Sequence, residues 1–526
     1  MSFAAASVTL ALLALGQPRP DEADLFGSSD EAVDGGSPTP EVMVPTLPLD
    51  ASADGGLNED YAQLNSGPIV NKFDSDEVKT DPLKIGASLL MSSQLFWQEG
   101  KAFEKGSINT PFILDAYIDG RPNERLRAFA VARLQFDPTR PLSTTSSTTT
   151  TTPTTGSSTV GLTPASATNP SVFLDQLWLR FDVLRTVYFT VGRQKVRWGV
   201  SRIWYPTDFL NSQPRDALNP FDVRLGVNMI KAHLPIESLG WNFYAYGLLD
   251  GINLTGTGET LEQLGGALRG EFVLGPAEVT VSGVWQKGRR PRYAADVSTS
   301  LGPIDVYAEA AFRSGNDFLK FQTPDGLTDE NFLARFNNIE PYRPDGFIVQ
   351  LSGGASWQFS YTDKNTGILG VEYFYNPAGY ETPIEYQVQT FMPSLLGLRQ
   401  DPIQQVSLYG GKHNLGISLT LPGLPNLSWV TVSLSNIIII NDPAGLTRLD
   451  VGFRVLTYLT VQVFGSVFYG QTGGQLRFKL TPQVINDIAN VSEATQPGSG
   501  AGVRTNLGAL RYPALVSAGV LLRLSI

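Results

Sequence analysis

From residue 84 onward the chain alternates apolar and polar residues with a period of two, in segments of about ten residues, the pattern of a β-strand wetted on one side only. Around residue 130, Leu126, Ala128, Ala130, Ala132, Leu134 and Phe136 share one face, and Arg125, Arg127, Arg133 and Gln135 the other. Around residue 350, Phe347, Val349, Leu351, Ala355, Trp357 and Phe359 oppose Ile348, Gln350, Ser352, Ser356, Gln358 and Ser360. Ile304, Val306, Ala308, Ala310 and Phe312 likewise oppose Asp305, Tyr307, Glu309 and Arg313. One such segment describes any half-buried sheet, but a long series of them restricts the fold severely.

Composition sharpens the restriction. Only 17% of residues are charged, against roughly 25% in soluble proteins, while 10% are aromatic and 52 are Gly. After residue 16 no apolar run approaches the ~20 residues of a spanning helix. A chain of this kind enters a membrane only as a closed barrel, because only helices and barrels satisfy every backbone group in lipid. A soluble sandwich or propeller would show repeats of about 40–50 residues, and none is visible.

The joins between segments supply a separate test, since outer-membrane barrels alternate short periplasmic turns with long outer loops. Joins near 119–124, 183–185, 236–239, 275–277, 301–303, 362–366, 422–426 and 456–458 are short. The intervening ones are mostly long: 137–170, 200–224, 250–264, 314–345, 377–411 and 470–511. The expected fold is all-β, a transmembrane antiparallel up-and-down barrel of about 18 strands, with 16 also compatible. The last segment, ALVSAGVLLRLSI, is amphipathic and ends on apolar Ile526. It resembles the terminal strand read by the bacterial barrel-assembly machinery, where Phe is the usual last residue.

The N-terminus reads as an export signal over 1–16, with an apolar stretch from Phe3 to Leu15. Residues 17–81 hold 15 acidic and 3 basic residues, a net of −12, so the chain's net −11 leaves the remainder at +1. Rich in Pro, Gly, Ser and Asp, this stretch is expected to be a disordered acidic periplasmic tail. The barrel then occupies 82–526. Cys is absent and His occurs twice, as His233 and His413. That excludes a disulfide scaffold and a thiolate metal site, and no cofactor or metal is expected. The expected surroundings are outer-membrane lipid and lipopolysaccharide; nucleic acid is not an expected partner.

The polar faces carry a concentration of cations. Arg125, Arg127 and Arg133, then Arg180, then Arg193, Lys195 and Arg197, and finally Lys231 are expected on one inner wall. A bulge at Gly192–Arg193 would turn the middle three inward, away from hydrocarbon. Such a wall favours anions. Alternatively, these cations pair with inward carboxylates such as Asp182, Asp305, Glu309 and Asp450, and stiffen the wall. In the 200–224 join, Trp204, Tyr205, Phe209 and Phe221 either line a constriction or pack into an outer cap. Trp178, Trp241, Trp357, Trp429, Tyr458 and Tyr469 read as interfacial girdles. The Thr/Ser tract at 143–160 reads as a mobile outer loop, while DENFLARFNN and TPQVINDIANVSEA read as short helices in loops.

The motif Gly192-Arg193-Gln194, then Trp198-Gly199, then Asn219-Pro220 with Asp222, resembles a group of Gram-negative outer-membrane barrels. In these a GRQ…WG strand precedes a loop with an NP-x-D element. More loosely it is similar to alginate-export barrels, in which a GRQ strand lines an electropositive conduit of 18 strands. The resemblance covers some 40 of the 526 residues and implies a bacterial outer-membrane channel. Three functions remain beside a channel for small or anionic solutes: an export conduit for an anionic polysaccharide, an anchor for envelope protein partners, and a barrel hydrolase. The last would need a nucleophile beside His233 or His413, and neither sits in a recognisable arrangement.

Overall fold

The computed structural model describes residues 82–142 and 169–525, apart from 212–214, 216–217, 219–223, 250–263, 288, 316–319, 329, 332–337, 363–364, 396–407, 496–503 and 505–506. The export segment, the acidic tail, the Thr/Ser tract, Asn219, Pro220, Phe221, Asp222, Ile526 and most of DENFLARFNN lie outside the described residues.

Eighteen long strands form the wall. In chain order they are β1 (Leu83–Gln98), β2 (Phe112–Asn123), β3 (Leu126–Phe136), β4 (Ser171–Val183), β5 (Val187–Gln194) and β6 (Val227–Ile236). Then come β7 (Trp241–Leu248), β8 (Gly265–Leu274), β9 (Ala277–Gln286), β10 (Arg292–Leu301), β11 (Ile304–Ser314) and β12 (Phe347–Ser360). The last six are β13 (Thr366–Tyr375), β14 (His413–Leu424), β15 (Leu427–Ile439), β16 (Ala444–Leu456), β17 (Leu459–Gly470) and β18 (Ala514–Ser525). Each pairs antiparallel with its neighbour in sequence, and β18 returns to β1 from Ser88↔Ser525 to Trp97↔Val516. Closure leaves no unpaired edge, which is what lets a sheet sit in lipid.

All eight short joins fall at one end of the barrel, where β1 begins and β18 stops. The other end carries the long loops together with three shorter joins, 99–111, 287–291 and 440–443. Here the alternation seen in the sequence is a direct consequence of an even-stranded meander.

The two faces separate as the period of two requires. Leu177, Ile230, Leu268, Val281, Leu351 and Leu434 face outward and are exposed, whereas Arg133, Gln135, Lys231, Gln350, Ser352 and Ser517 face inward and are buried. A closed wall with an apolar exterior and a polar interior is that of a bacterial outer-membrane barrel. The outward Trp357, Tyr458 and Tyr469 are exposed, and Trp241 packs edge-on to Phe272. Trp178 departs from the girdle expectation. It shares the inner face of β4 with Arg180, is 5% exposed, and stacks on inward Phe129 at 5.3 Å.

The largest apolar core lies inside the barrel, not in its wall. Helices α1 (Pro383–Leu395) and α2 (Pro482–Thr495) fold in from the loop end, the second at the position expected from sequence. Tyr386, Val388, Val484, Ile485 and Ile488 on these helices cluster with Phe374, Ile437, Leu446 and Phe468 of the wall.

Candidate functional site

Strands β2 to β6 build a charged inner wall in which most cations have a carboxylate within reach. Arg133 holds Asp115 at 2.7 Å and Asp175 at 3.0 Å, and Lys195 reaches the same Asp175 at 2.9 Å. All four side chains are largely buried. Nearer the short turns, Asp119 takes Arg127 at 2.8 Å and Arg121 at 2.9 Å, and Arg125 grips Asp182 at 2.9 Å. Arg127 also lies over the Trp178 ring and Arg180 over Tyr188. Lys231 is buried on β6, close to the stack of His233 on Tyr244. Along this wall seven cations (Arg121, Arg125, Arg127, Arg133, Arg180, Lys195, Lys231) stand against four carboxylates (Asp115, Asp119, Asp175, Asp182). The pairing stiffens the wall, along which these cations outnumber these carboxylates seven to four.

The sequence placed the irregularity in the wrong strand. Pairing runs through Gly192 and Arg193 with no shift on either side, Leu177↔Arg193 and Arg193↔Asn228. The shift lies in β4, where Val131 pairs with Gln176 but Ala132 with Leu174, leaving Asp175 as the extra residue. The bulge turns Asp175 inward, where it is 1% exposed between Arg133 and Lys195. Gly192 serves a different purpose. At φ 124° its Cβ would stand 2.2 Å from the Leu177 carbonyl oxygen, so only glycine fits against the bulged strand. Arg193 keeps the register opposite to inward Gln194, and its Nε donates to the Gly226 carbonyl at 3.0 Å. Lys195 and Arg197 lie past the end of β5, where the chain leaves the sheet, and Arg197 rests over Tyr205.

From there residues 195–211 cross the barrel interior. One side of this segment, Val196, Trp198, Phe209 and Leu210, packs on Met229, Tyr246, Val284 and Ala311 of β6 to β11. The far side is held by two carboxylates. Glu372 of β13 accepts three successive backbone N–H groups, from Arg202 at 2.9 Å, Ile203 at 3.1 Å and Trp204 at 2.8 Å. Tyr307 and Ser352 donate their hydroxyls to it at 2.8 and 3.1 Å. Glu309 of β11 accepts from the Ser201 N–H and from Thr207. Three consecutive N–H groups converging on one oxyanion form a backbone nest.

Two glycines make room for the crossing. A Cβ at Gly199, where φ is 100°, would lie 2.6 Å from Glu309. At Gly416 of β14 it would lie 2.3 Å from Ile203, closing the slot in which Trp204 stacks on Phe374. The Trp204 indole also donates to the Leu408 carbonyl at 2.7 Å. Of the loop aromatics named from sequence, Trp204 is 0%, Tyr205 9% and Phe209 4% exposed. The segment is a packed crossing of the lumen, and these rings are engaged with the protein itself. Of the counter-charges, Asp182 was legible in the sequence and pairs with Arg125; the alternation in FILDAYID, which aligns Asp115 with Asp119 on one face, was the available signal for the other two on β2.

Above the crossing, the joint between β15 and β16 carries Asp442, fully covered and accepting from Tyr380 at 3.1 Å. Burial raises its pKa to about 6. At the rim, Lys412 and Glu381 form an exposed pair in which the hydrogen bond between them raises the lysine and lowers the carboxylate. His413 shares a hydrogen bond of 2.6 Å with Tyr373, and His233 one of 2.9 Å with Asn242.

No family model and no curated protein matches the chain. Among solved structures it is similar to OccAB1 of Acinetobacter baumannii, at 10% identity and TM-score 0.45, covering 85% of this chain and 97% of that one. It is also similar to the outer membrane protein opdK of Pseudomonas aeruginosa, at 8% identity and TM-score 0.44, covering 84% and 98%. A third is a Rhodopseudomonas blastica porin triple mutant, at 10% identity and TM-score 0.36, covering 84% and 100%.

Proposed function

We propose that the protein is a porin-like outer-membrane channel that passes small anionic solutes along the β2 to β6 wall, narrowed at mid-height by residues 195–211. The observation that carries this reading is the excess of inward cations over carboxylates on that wall, since a cationic lining lowers the cost of shedding hydration for an anion and raises it for a cation. Arg121, Arg125, Arg127 and Arg180, towards the short-turn end, are the wall cations with most access to solvent and would meet the solute; Arg133 and Lys195 hold the wall in place through Asp175.

The test is single-channel recording in a planar bilayer under a salt gradient. The wild-type protein should conduct, with a reversal potential on the anion side. Replacing Arg125, Arg127 and Arg180 together by Gln should move that potential toward zero. A cation preference in the wild type would sink the proposal. A barrel that never conducts would transfer the weight to an anchoring role for envelope partners.

A further inference from the structure

The outer face of β6 to β10 contains an apolar groove of about 580 Å³. It exists because each of four strands contributes a small residue to the exterior there, Ala232, Ala245, Gly270 and Gly283, with Leu268 set among them. Ala232 pairs with Ala245, Ala245 with Leu268, and Leu268 with Gly283. One step toward the short turns, Phe243 pairs with Gly270 and Gly270 with Val281. The aromatic rings at its sides lie over the glycines. A Cβ on Gly270 would stand 2.9 Å from the Phe272 ring, and one on Gly283 would stand 2.7 Å from the Trp285 ring. Phe243 packs edge-on to Phe272 at 5.7 Å, and Tyr293 edge-on to Trp285 at the same distance. The result is an apolar slot lined by Ala232, Ala245, Gly270 and Gly283 together with Leu268 and Val281, and bounded by aromatic rings.

The groove opens at the loop end into a second recess of about 460 Å³, lined by Leu264, Trp285, Gln286, Lys287, Arg289 and Pro291. Trp285 belongs to both. The connection 287–291 is short and basic, reading KGRRP. Two of its neighbouring cations are engaged with the protein, Arg290 with Asp345 and the Ser314 carbonyl, and Arg292 with Phe209. Lys287 and Arg289 are exposed, and neither side chain has an ion-pair partner among the described residues. Strand β9 runs from a short turn toward the loops, so these cations stand at the outer rim of the membrane with the apolar slot directly below them.

We propose that this groove and its cationic rim bind one phosphorylated, multiply acylated glycolipid of the outer leaflet, with an acyl chain between Phe272 and Trp285 and a phosphate between Lys287 and Arg289. The charge arrangement favours this occupant over a second copy of the chain, because an identical face would bring its own Lys287 and Arg289 into the contact. Smooth lipid-facing wall would attract acyl chains without preference, whereas cations at the mouth of a slot select a phosphate-bearing head group. The site does not depend on whether the lumen conducts.

Native mass spectrometry of the full chain in detergent tests the proposal, with bisphosphorylated lipid A, its dephosphorylated form, phosphatidylglycerol and inorganic phosphate as probes. The wild type should retain one lipid A in preference to the other three. The Lys287→Ala/Arg289→Ala variant, confined to an exposed connection, should lower lipid A retention by about 30-fold, two surface cations' worth. Trp285→Ala should lower retention of both lipid A forms while leaving the barrel folded by its heat-modifiable migration. Equal retention of lipid A by wild type and the double variant would overturn the proposal. So would phosphatidylglycerol binding as tightly as lipid A, or a wild-type oligomer that Trp285→Ala dissociates, which would make the groove an interface between copies.

Discussion

Replacing Glu372 by Ala should release residues 195–211 from the far wall, and the size of the effect follows from the donors it satisfies. The carboxylate takes three backbone N–H groups of the crossing segment and the hydroxyls of Tyr307 and Ser352. The hydroxyls can turn to other acceptors; the three N–H groups are fixed by the chain. A buried donor left without an acceptor costs about 1–3 kcal/mol, so docking the segment in the variant would be less favourable by about 3 kcal/mol at the low end. Water entering the vacated space keeps the figure near that end. A change of about 3 kcal/mol moves the equilibrium between docked and released segment by about two orders of magnitude. Two assays read this. Limited trypsin digestion should cut at Arg202 in the variant and spare it in the wild type, and single-channel conductance should rise. Unchanged cleavage at Arg202 together with unchanged conductance would refute the view that Glu372 clamps the crossing. The digestion arm stands even if the barrel conducts nothing.

Other changes should have equally defined outcomes. Gly416→Val places a side chain in the Ile203 and Trp204 slot; it should reproduce the trypsin pattern of Glu372→Ala, and combining the two should add little. Arg133→Leu leaves Asp115 and Asp175 without their shared buried partner, a loss of about 3–5 kcal/mol that should appear as a lower unfolding temperature in a heat-modifiability gel. Protonated Asp442 is favoured in the folded protein, since burial raises its pKa to about 6. Its contribution is therefore fully present below the ordinary carboxylate range and is lost as pH rises through about 6. Protection of the α1 amides against hydrogen exchange, after correction for the base-catalysed intrinsic rate, should accordingly be weaker at pH 7.5 than at pH 5, and Asp442→Asn should remove most of that loss of protection.

How the wall forms is legible residue by residue, because the relevant forces are local. Alternation every second residue is imposed by the pleat, so Leu126 to Phe136 declare their inner and outer faces without reference to any other strand. The same holds for Phe347 to Ser360, and for the terminal strand that meets β1. Loop alternation is local too, being set by how many residues separate one strand from the next, and it restricts the wall to 18 or 16 strands.

Errors gathered where a residue's environment is set by a partner far away in the chain. Trp178 looked like a girdle residue by type, but the bulge at Asp175 and the stack on Phe129 put it inside. Arg193 was expected inward because a cation in lipid is costly; instead its strand ends one residue later and its guanidinium finds the Gly226 carbonyl. The counter-charges of the arginine wall depend on register across hairpins, Asp115 opposite Arg133, which composition does not reveal.

Periodicity therefore determined the barrel and the sidedness of its wall and narrowed the strand number to 18 or 16, since each of these is written in separations of two to about forty residues; closure of the sheet decided on eighteen. What occupies the lumen was decided by contacts of another order. Trp204 meets Glu372 across 168 residues of sequence and Ser201 meets Glu309 across 108, and nothing in the local pattern of either segment specifies the other. Such pairs become neighbours only after the sheet has closed and fixed the distance across it, which is why the crossing and its carboxylate clamp belong to the tertiary structure.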